Sequence, residues 1–214
     1  PSNTSFSDSF VVATGSGANR LAYSYDGLTW RPGVNSASIF TTAHKVAWNG
    51  SLWLAAGTGT FSIAYSSDGI NWTGVPGSTN TLTTCYDIAW NGTIWTAVGT
   101  GTTSTIATSP DGGFTWIGLG KDFFSTQGNG VAWNGSIWVA VGSGGNTVGY
   151  SYNGSNWLPA VTSIFTTAGN SVAWNRNRWV AVGSGGTTIA YSADGRTWES
   201  VSFSPFSGSG NGIA

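Results

Sequence analysis

VAWNGSIWVAVGSGG, Val131 to Gly145, recurs as VAWNGSLWLAAGTGT from Val46, as IAWNGTIWTAVGTGT from Ile88 and as VAWNRNRWVAVGSGG from Val172. A fifth start falls at Ile213, so the copies begin at 46, 88, 131, 172 and 213, spaced by 42, 43, 41 and 41 residues. A period near 42 with short turn signals inside it fits a four-stranded propeller blade. Helical repeats of that length need helix formers at 3.6-residue spacing, which these copies lack.

The strands of one copy follow from local chemistry. Val-Ala-Trp reads as an innermost strand, ended by Asn-Gly at 49–50, 91–92 and 134–135, the pair preferred by type I′ hairpins because both residues tolerate positive φ. In the next strand, Trp138 and Ala140 point to one face and Ile137, Val139 and Val141 to the other. Two apolar faces predict a strand covered by neighbours on both sides. A third strand such as Ser62–Ser66, SIAYS, leads to a turn and a fourth strand that opens with Trp.

Those turns read SYDGLTW from Ser24, SSDGINW from Ser66, SPDGGFTW from Ser109, SYNGSNW from Ser151 and SADGRTW from Ser192. They resemble the Asp-box, or BNR, repeat of sialidase-like propellers, S-x-D-x-G-x-T-W. Only Ser109–Trp116 has the full spacing; the others are one residue shorter, and Asn153 stands in for the acid in one. The turn residues Asp26, Asp68, Asp111, Asn153 and Asp194 are read as structural: Ser and Asp oxygens bond backbone N–H groups, Gly takes a φ closed to other residues, and Trp folds back as an apolar plug. Five turns predict an all-β, five-bladed propeller of four-stranded antiparallel blades, in one domain over residues 1–214. The C-terminal GNGIA repeats the lead-in GNGVA of Gly128–Ala132, and Ser7–Gly17 reads as a second strand without its first. Ile213 and Ala214 are therefore expected to complete the blade begun within residues 1–45 and to close the ring without a covalent bond. Residues 1–5 overlap the same slot.

Composition narrows the function. With 33 Gly, 13 Trp, no Met and 7% charged residues, the chain leans to β and no helix is expected. A net charge of −1 with seven Lys and Arg lacks the footprint for nucleic acid or an acidic membrane. Cys85, the single cysteine, excludes an internal disulfide and a Cys-based zinc site, and is expected to be an inert thiol. The start, Pro1 to Thr4, has no basic or apolar leader and no 18-residue apolar stretch occurs, so a mature or trimmed, monomeric, non-membrane domain is expected.

Each repeat except the first carries three Trp; the first keeps Trp30, with Phe10 placed where another would fall. A buried Trp removes on the order of 200 Å² from water, roughly 5 kcal/mol before entropy is subtracted. The second-strand and turn tryptophans are therefore read as packing. The inner-strand set, Trp48, Trp90, Trp133 and Trp174, sits beside the hairpin at one rim, where a half-exposed indole can stack on a sugar or partner. Tyr25, Phe40, Tyr152 and Phe165 have similar standing.

Catalysis is not expected. Sialidases on Asp-box propellers use an arginine triad from separate blades, a Tyr nucleophile and a Glu partner; here Arg176, Arg178 and Arg196 share one repeat and Glu199 is the only glutamate. Glycosidase action needs converging carboxylates. Four aspartates belong to the turns, leaving Asp8, Asp87, Asp122 and Glu199 at unrelated repeat positions. His44 is the only histidine, and no EF-hand or RTX calcium spacing appears, so no metal and no cofactor are expected. The first reading is a non-catalytic, lectin-like module binding neutral sugars through repeated inter-blade grooves. The alternative is a structural or protein-interaction scaffold, either a viral or bacterial surface repeat domain or an engineered or reconstructed ring, without a small-molecule ligand.

Overall fold

The computed structural model describes residues 10–162 and 164–214. Its strands run in consecutive antiparallel meanders. The first unit holds β1 (Val11–Thr14), β2 (Leu21–Ser24) and β3 (Arg31–Pro32). The second holds β4 (Phe40–Trp48), β5 (Trp53–Gly59), β6 (Ile63–Ser66) and β7 (Thr73–Gly74). The third holds β8 (Thr84–Trp90), β9 (Trp95–Thr100), β10 (Ile106–Ser109) and β11 (Ile117–Gly118). The fourth holds β12 (Phe124–Trp133), β13 (Trp138–Gly145), β14 (Val148–Ser151) and β15 (Leu158–Pro159). The fifth holds β16 (Phe165–Trp174), β17 (Trp179–Gly186), β18 (Ile189–Ser192) and β19 (Glu199–Ser200). Edge bridges between Thr58 and Thr84 and between Ser143 and Ala168 link neighbouring units, so the fold is all-β with curled antiparallel sheets.

The second strands are buried on both faces. Trp138 and Ala140 pack with Val98 and Ile106 of the third unit, while Ile137, Val139 and Val141 pack with Trp179 and Ala181 of the fifth. The fourth unit is thus held by its neighbours on either side, and its second strand needs apolar residues at successive positions rather than alternate ones.

Three expectations change. Helix is not absent: single turns form at α1 (Ser36–Ile39) and α2 (Ser78–Thr81), in the connections to β4 and β8. Each follows a residue in left-handed conformation, Asn35 at φ 65° and Gly77 at φ 75°, which starts a tight turn that returns Ile39 and Leu82 to the core. The Asn-Gly loops are not two-residue type I′ hairpins. Trp48 pairs directly with Trp53, leaving four loop residues, and Asn49 Oδ1 accepts from Ser51 N at 2.9 Å and Leu52 N at 2.7 Å. Only the second loop residue has positive φ: Gly50 at 102°, Gly92 at 100°, Gly135 at 101°, and Arg176 at 74° in the last copy. Finally, Val11 and not Phe10 holds the second-strand Trp position, since Val11 pairs with Ser24 as Trp53 pairs with Ser66.

The C-terminal segment behaves as the next inner strand. Ser209 bridges Ser184, Gly210 N donates to Gly183 O at 3.0 Å, and Asn170 Nδ2 donates to Gly210 O at 2.8 Å, as Asn129 Nδ2 does to Gly169 O one unit earlier. The expected pairing of Ile213 and Ala214 with the N-terminal strand is not formed among the described residues: β1 lies at the edge of its sheet and pairs with β2. Gly15 shows why. A Cβ there would meet nothing within 4 Å, whereas at Gly142 it would lie 2.4 Å from Gln127 O and 2.8 Å from the Phe124 ring. Phe206, the counterpart of the fully buried Phe124 and Phe165, is 46% exposed instead of filling that place. Ser7 to Ser9, Asp8 and the overlapping residues 1–5 lie outside the described residues.

Candidate functional site

The five box turns are closed hydrogen-bonding systems. In the second, Gly69 N donates to Ser66 Oγ at 2.9 Å, and Ile70 N and Asn71 N each donate to Asp68 Oδ1 at 2.8 Å. Asp26, Asp111 and Asp194 accept from their own turns in the same way, and Asn153 Oδ1 accepts from Ser155 N and Asn156 N at 3.0 and 2.9 Å. Partial burial pushes the Asp68 and Asp111 carboxyls up, but donors from Asn71 and Thr115 outweigh it and hold both at about 2. Bonds from the Thr29 and Leu28 N–H groups lower Asp26, and the net shift at Asp194 is also downward. One contact was not legible beforehand: each box indole N–H donates to the carbonyl of its own turn glycine, as Trp72 Nε1 does to Gly69 O at 3.2 Å. Each of these carboxylates is held through Oδ1 by N–H groups of its own turn.

The inner-strand tryptophans do converge. Trp48, Trp90, Trp133 and Trp174 line one cavity of about 370 Å³, with Ile213 and Ala214 as a further wall. Each lies tilted over the second-strand Trp of its own hairpin, at centroid distances of 5.0 Å for Trp48 on Trp53, 5.1 Å for Trp90 on Trp95, 5.1 Å for Trp133 on Trp138 and 5.2 Å for Trp174 on Trp179. The direct Trp–Trp pairing across the four-residue loop sets this contact; the second-strand indole is buried at Trp95, Trp138 and Trp179 and partly buried at Trp53, and it holds the other half-exposed beside the cavity. The set therefore belongs to a single axial cavity, not to separate inter-blade grooves.

Grooves between strands and connections also exist but differ from unit to unit. Pockets of about 420 Å³ at Gly185–Thr188 and about 200 Å³ at Gly145–Val148 occupy equivalent places. In the second unit the Phe61 ring covers the corresponding strand at Gly74, where a Cβ would meet it at 2.3 Å. Phe40 and Phe165 are core residues, while Tyr25 and Tyr152 are exposed.

Beside the axial cavity lies a charged pair, Lys45 and Asp87. Asp87 is buried; its Oδ1 accepts from Ile88 N at 2.8 Å and its Oδ2 from Val131 N at 3.0 Å on the next inner strand. Lys45 Nζ stands 3.4 Å from Asp87 Oδ1 and lines the cavity. Burial raises the Asp87 carboxyl, opposed by the Lys45 charge and the two backbone donors. Cys85 is buried two residues away, and burial pushes its thiol well up. His44 is exposed, with Nε2 3.1 Å from Thr58 Oγ1. Of the remaining acids, Glu199 accepts from Tyr191 Oη at 2.6 Å and Asp122 lies on an outer pocket with Trp157. Among the described residues no group of three or more His, Cys, Asp or Glu is placed to hold a metal ion.

Neither a protein-family model nor a curated protein matches this sequence. Solved structures do. The crystal structure of an ancestral GH74 enzyme is similar at a TM-score of 0.70 and 16% identity, covering 90% of this chain and 29% of that one. A chain of a nidogen–laminin complex gives 0.64 at 10% identity, covering 85% and 73%. The computationally designed Ika8 protein gives 0.59 at 11% identity, covering 88% and 57%. This chain thus spans under a third of the GH74 chain, and at these identities the likeness is one of fold. The class it defines is an all-β fold of the β-propeller type.

Proposed function

We propose that the chain is a five-bladed ring of Asp-box repeats acting as a non-catalytic recognition module, lectin-like in binding neutral sugars. In this reading the five meanders are the blades, and the C-terminal segment lies beside the fifth meander, where Ser209 bridges Ser184. One observation carries the functional part: four half-exposed indoles surround a single cavity, and no Asp or Glu side chain lines it among the described residues. Indole faces offer flat apolar area to the C–H face of a pyranose, and a cavity of a few hundred Å³ suits a small ligand. The box aspartates are held by their turns and Asp87 by backbone, which supports a binding role over acid–base chemistry.

The test is a glycan array followed by titration of intrinsic fluorescence. Saturable binding to particular sugars that quenches indole emission, and is lost in Trp133→Ala, is expected. A clean null across the array overturns the sugar reading in favour of a protein-interaction scaffold. The likeness to the computationally designed Ika8 protein fits the engineered-scaffold form of that alternative.

A further inference from the structure

The repeat makes exceptions visible. The inner-strand position just before the recurring Val/Ile is Lys45, Asp87, Gly130, Ser171 and Gly212 in the successive copies. Gly130, Ser171 and Gly212 carry no charge, and Asp87 is turned into the protein, where both carboxylate oxygens accept backbone N–H groups. Lys45 alone of these reaches the axial cavity as an ion. Its side chain is 51% exposed against 12% for Asp87. An ammonium has three N–H donors and the contact to Asp87 uses one, so two remain for a ligand. The cavity is therefore aromatic around its wall, with Lys45 the one charged side chain on its lining among the described residues.

We propose that the axial cavity prefers a saccharide bearing one carboxylate, a hexuronic acid residue, whose ring lies against the indoles and whose carboxylate is held by Lys45. The inference rests on the saccharide reading above and replaces its neutral sugar with one that carries a single carboxylate. A charge-assisted bond made in a partly enclosed site separates such a ligand from its uncharged counterpart by about tenfold in affinity. The competing role for Lys45 is to neutralise buried Asp87, which would influence stability and leave selectivity untouched.

The experiment titrates the intact protein with methyl β-glucuronide and with methyl β-glucoside, following indole fluorescence and confirming by calorimetry. The expected ratio of affinities is about tenfold in favour of the glucuronide, shrinking as salt is raised. Lys45→Gln should bring the ratio close to unity, and Lys45→Arg should restore most of it, each checked for native circular dichroism. A ratio near unity in the unsubstituted protein, or one that survives in a folded Lys45→Gln variant, overturns the proposal while leaving the saccharide reading standing. Binding of neither glycoside, together with a null array, overturns both.

Discussion

The fourth unit and the first carry the same box turn, yet their tryptophans and glycines meet different surroundings. Trp138 of the fourth unit is fully buried between two neighbours, and Gly142 lies directly under the Phe124 ring. In the first unit Val11 replaces that Trp, Gly15 meets none of the described residues within 4 Å of a Cβ, and the box residue Trp30 is 46% exposed although Trp72, its counterpart in the second unit, is 1% exposed. The turn itself is intact in both places, with Trp30 Nε1 donating to Gly27 O at 3.2 Å as Trp157 Nε1 does to Gly154 O at 3.0 Å. The box motif thus shapes the turn, and the adjoining unit decides whether the indole becomes core.

The largest expected effect breaks this contrast at the tryptophans. Trp138→Ala should cost about 3–5 kcal/mol in urea unfolding, whereas Trp30→Ala should cost about 1 kcal/mol or less, as fits a half-exposed ring. Equal costs would mean that the first unit is as tightly clasped as the fourth. Next come the glycines. Gly142→Ala forces a Cβ against Gln127 O and should cost about 1–3 kcal/mol, while Gly15→Ala should stay within about 0.5 kcal/mol. A Gly15 penalty as large as that of Gly142 would show Phe206 seated on β1 in solution.

Acid sharpens the comparison between turns. Asp68 and Asp111 have folded carboxyls held near 2 against an ordinary value of 3.8, so their stabilising contribution is present above about pH 4 and is lost as pH falls toward 2. Asp87, raised by burial, works in the opposite sense and offsets part of that loss. Asn153 makes similar backbone bonds without a titrating group. The double variant Asp68→Asn, Asp111→Asn should show a smaller drop in urea midpoint between pH 6 and pH 3 than the unsubstituted protein. An unchanged drop would place acid sensitivity elsewhere. The smallest effect concerns the loops: Arg176 sits at φ 74° where three other copies have Gly, and Arg176→Gly should raise stability by about 0.5 kcal/mol, read as a shift in midpoint.

Much of the architecture was legible because the repeat writes the same contacts several times. The double-faced burial of Val139 and Trp138 follows from apolar residues at consecutive positions, and the turn chemistry from Ser, Asp and Gly at fixed offsets. What escaped depends on register or on a single copy. Whether Asn-Gly spans two residues or belongs to a four-residue loop is fixed by the Trp48–Trp53 pair, and no local preference of Asn and Gly reveals that pairing. The same pairing aims the four inner indoles at one axis. Lys45 and Asp87 occur in one copy each, so periodicity could not distinguish their positions from drift. The helical turns at Ser36–Ile39 and Ser78–Thr81 occupy connections whose sequences vary between copies.

The central claim is that recognition takes place once, on the axis, and not repeatedly around the rim. Calorimetric titration with a saccharide found on the array, using protein of known concentration, measures this directly. One molecule bound per chain, abolished in Trp90→Ala as well as in Trp133→Ala, is the expected result. Several equivalent molecules per chain, each lost separately with a different tryptophan, would contradict it.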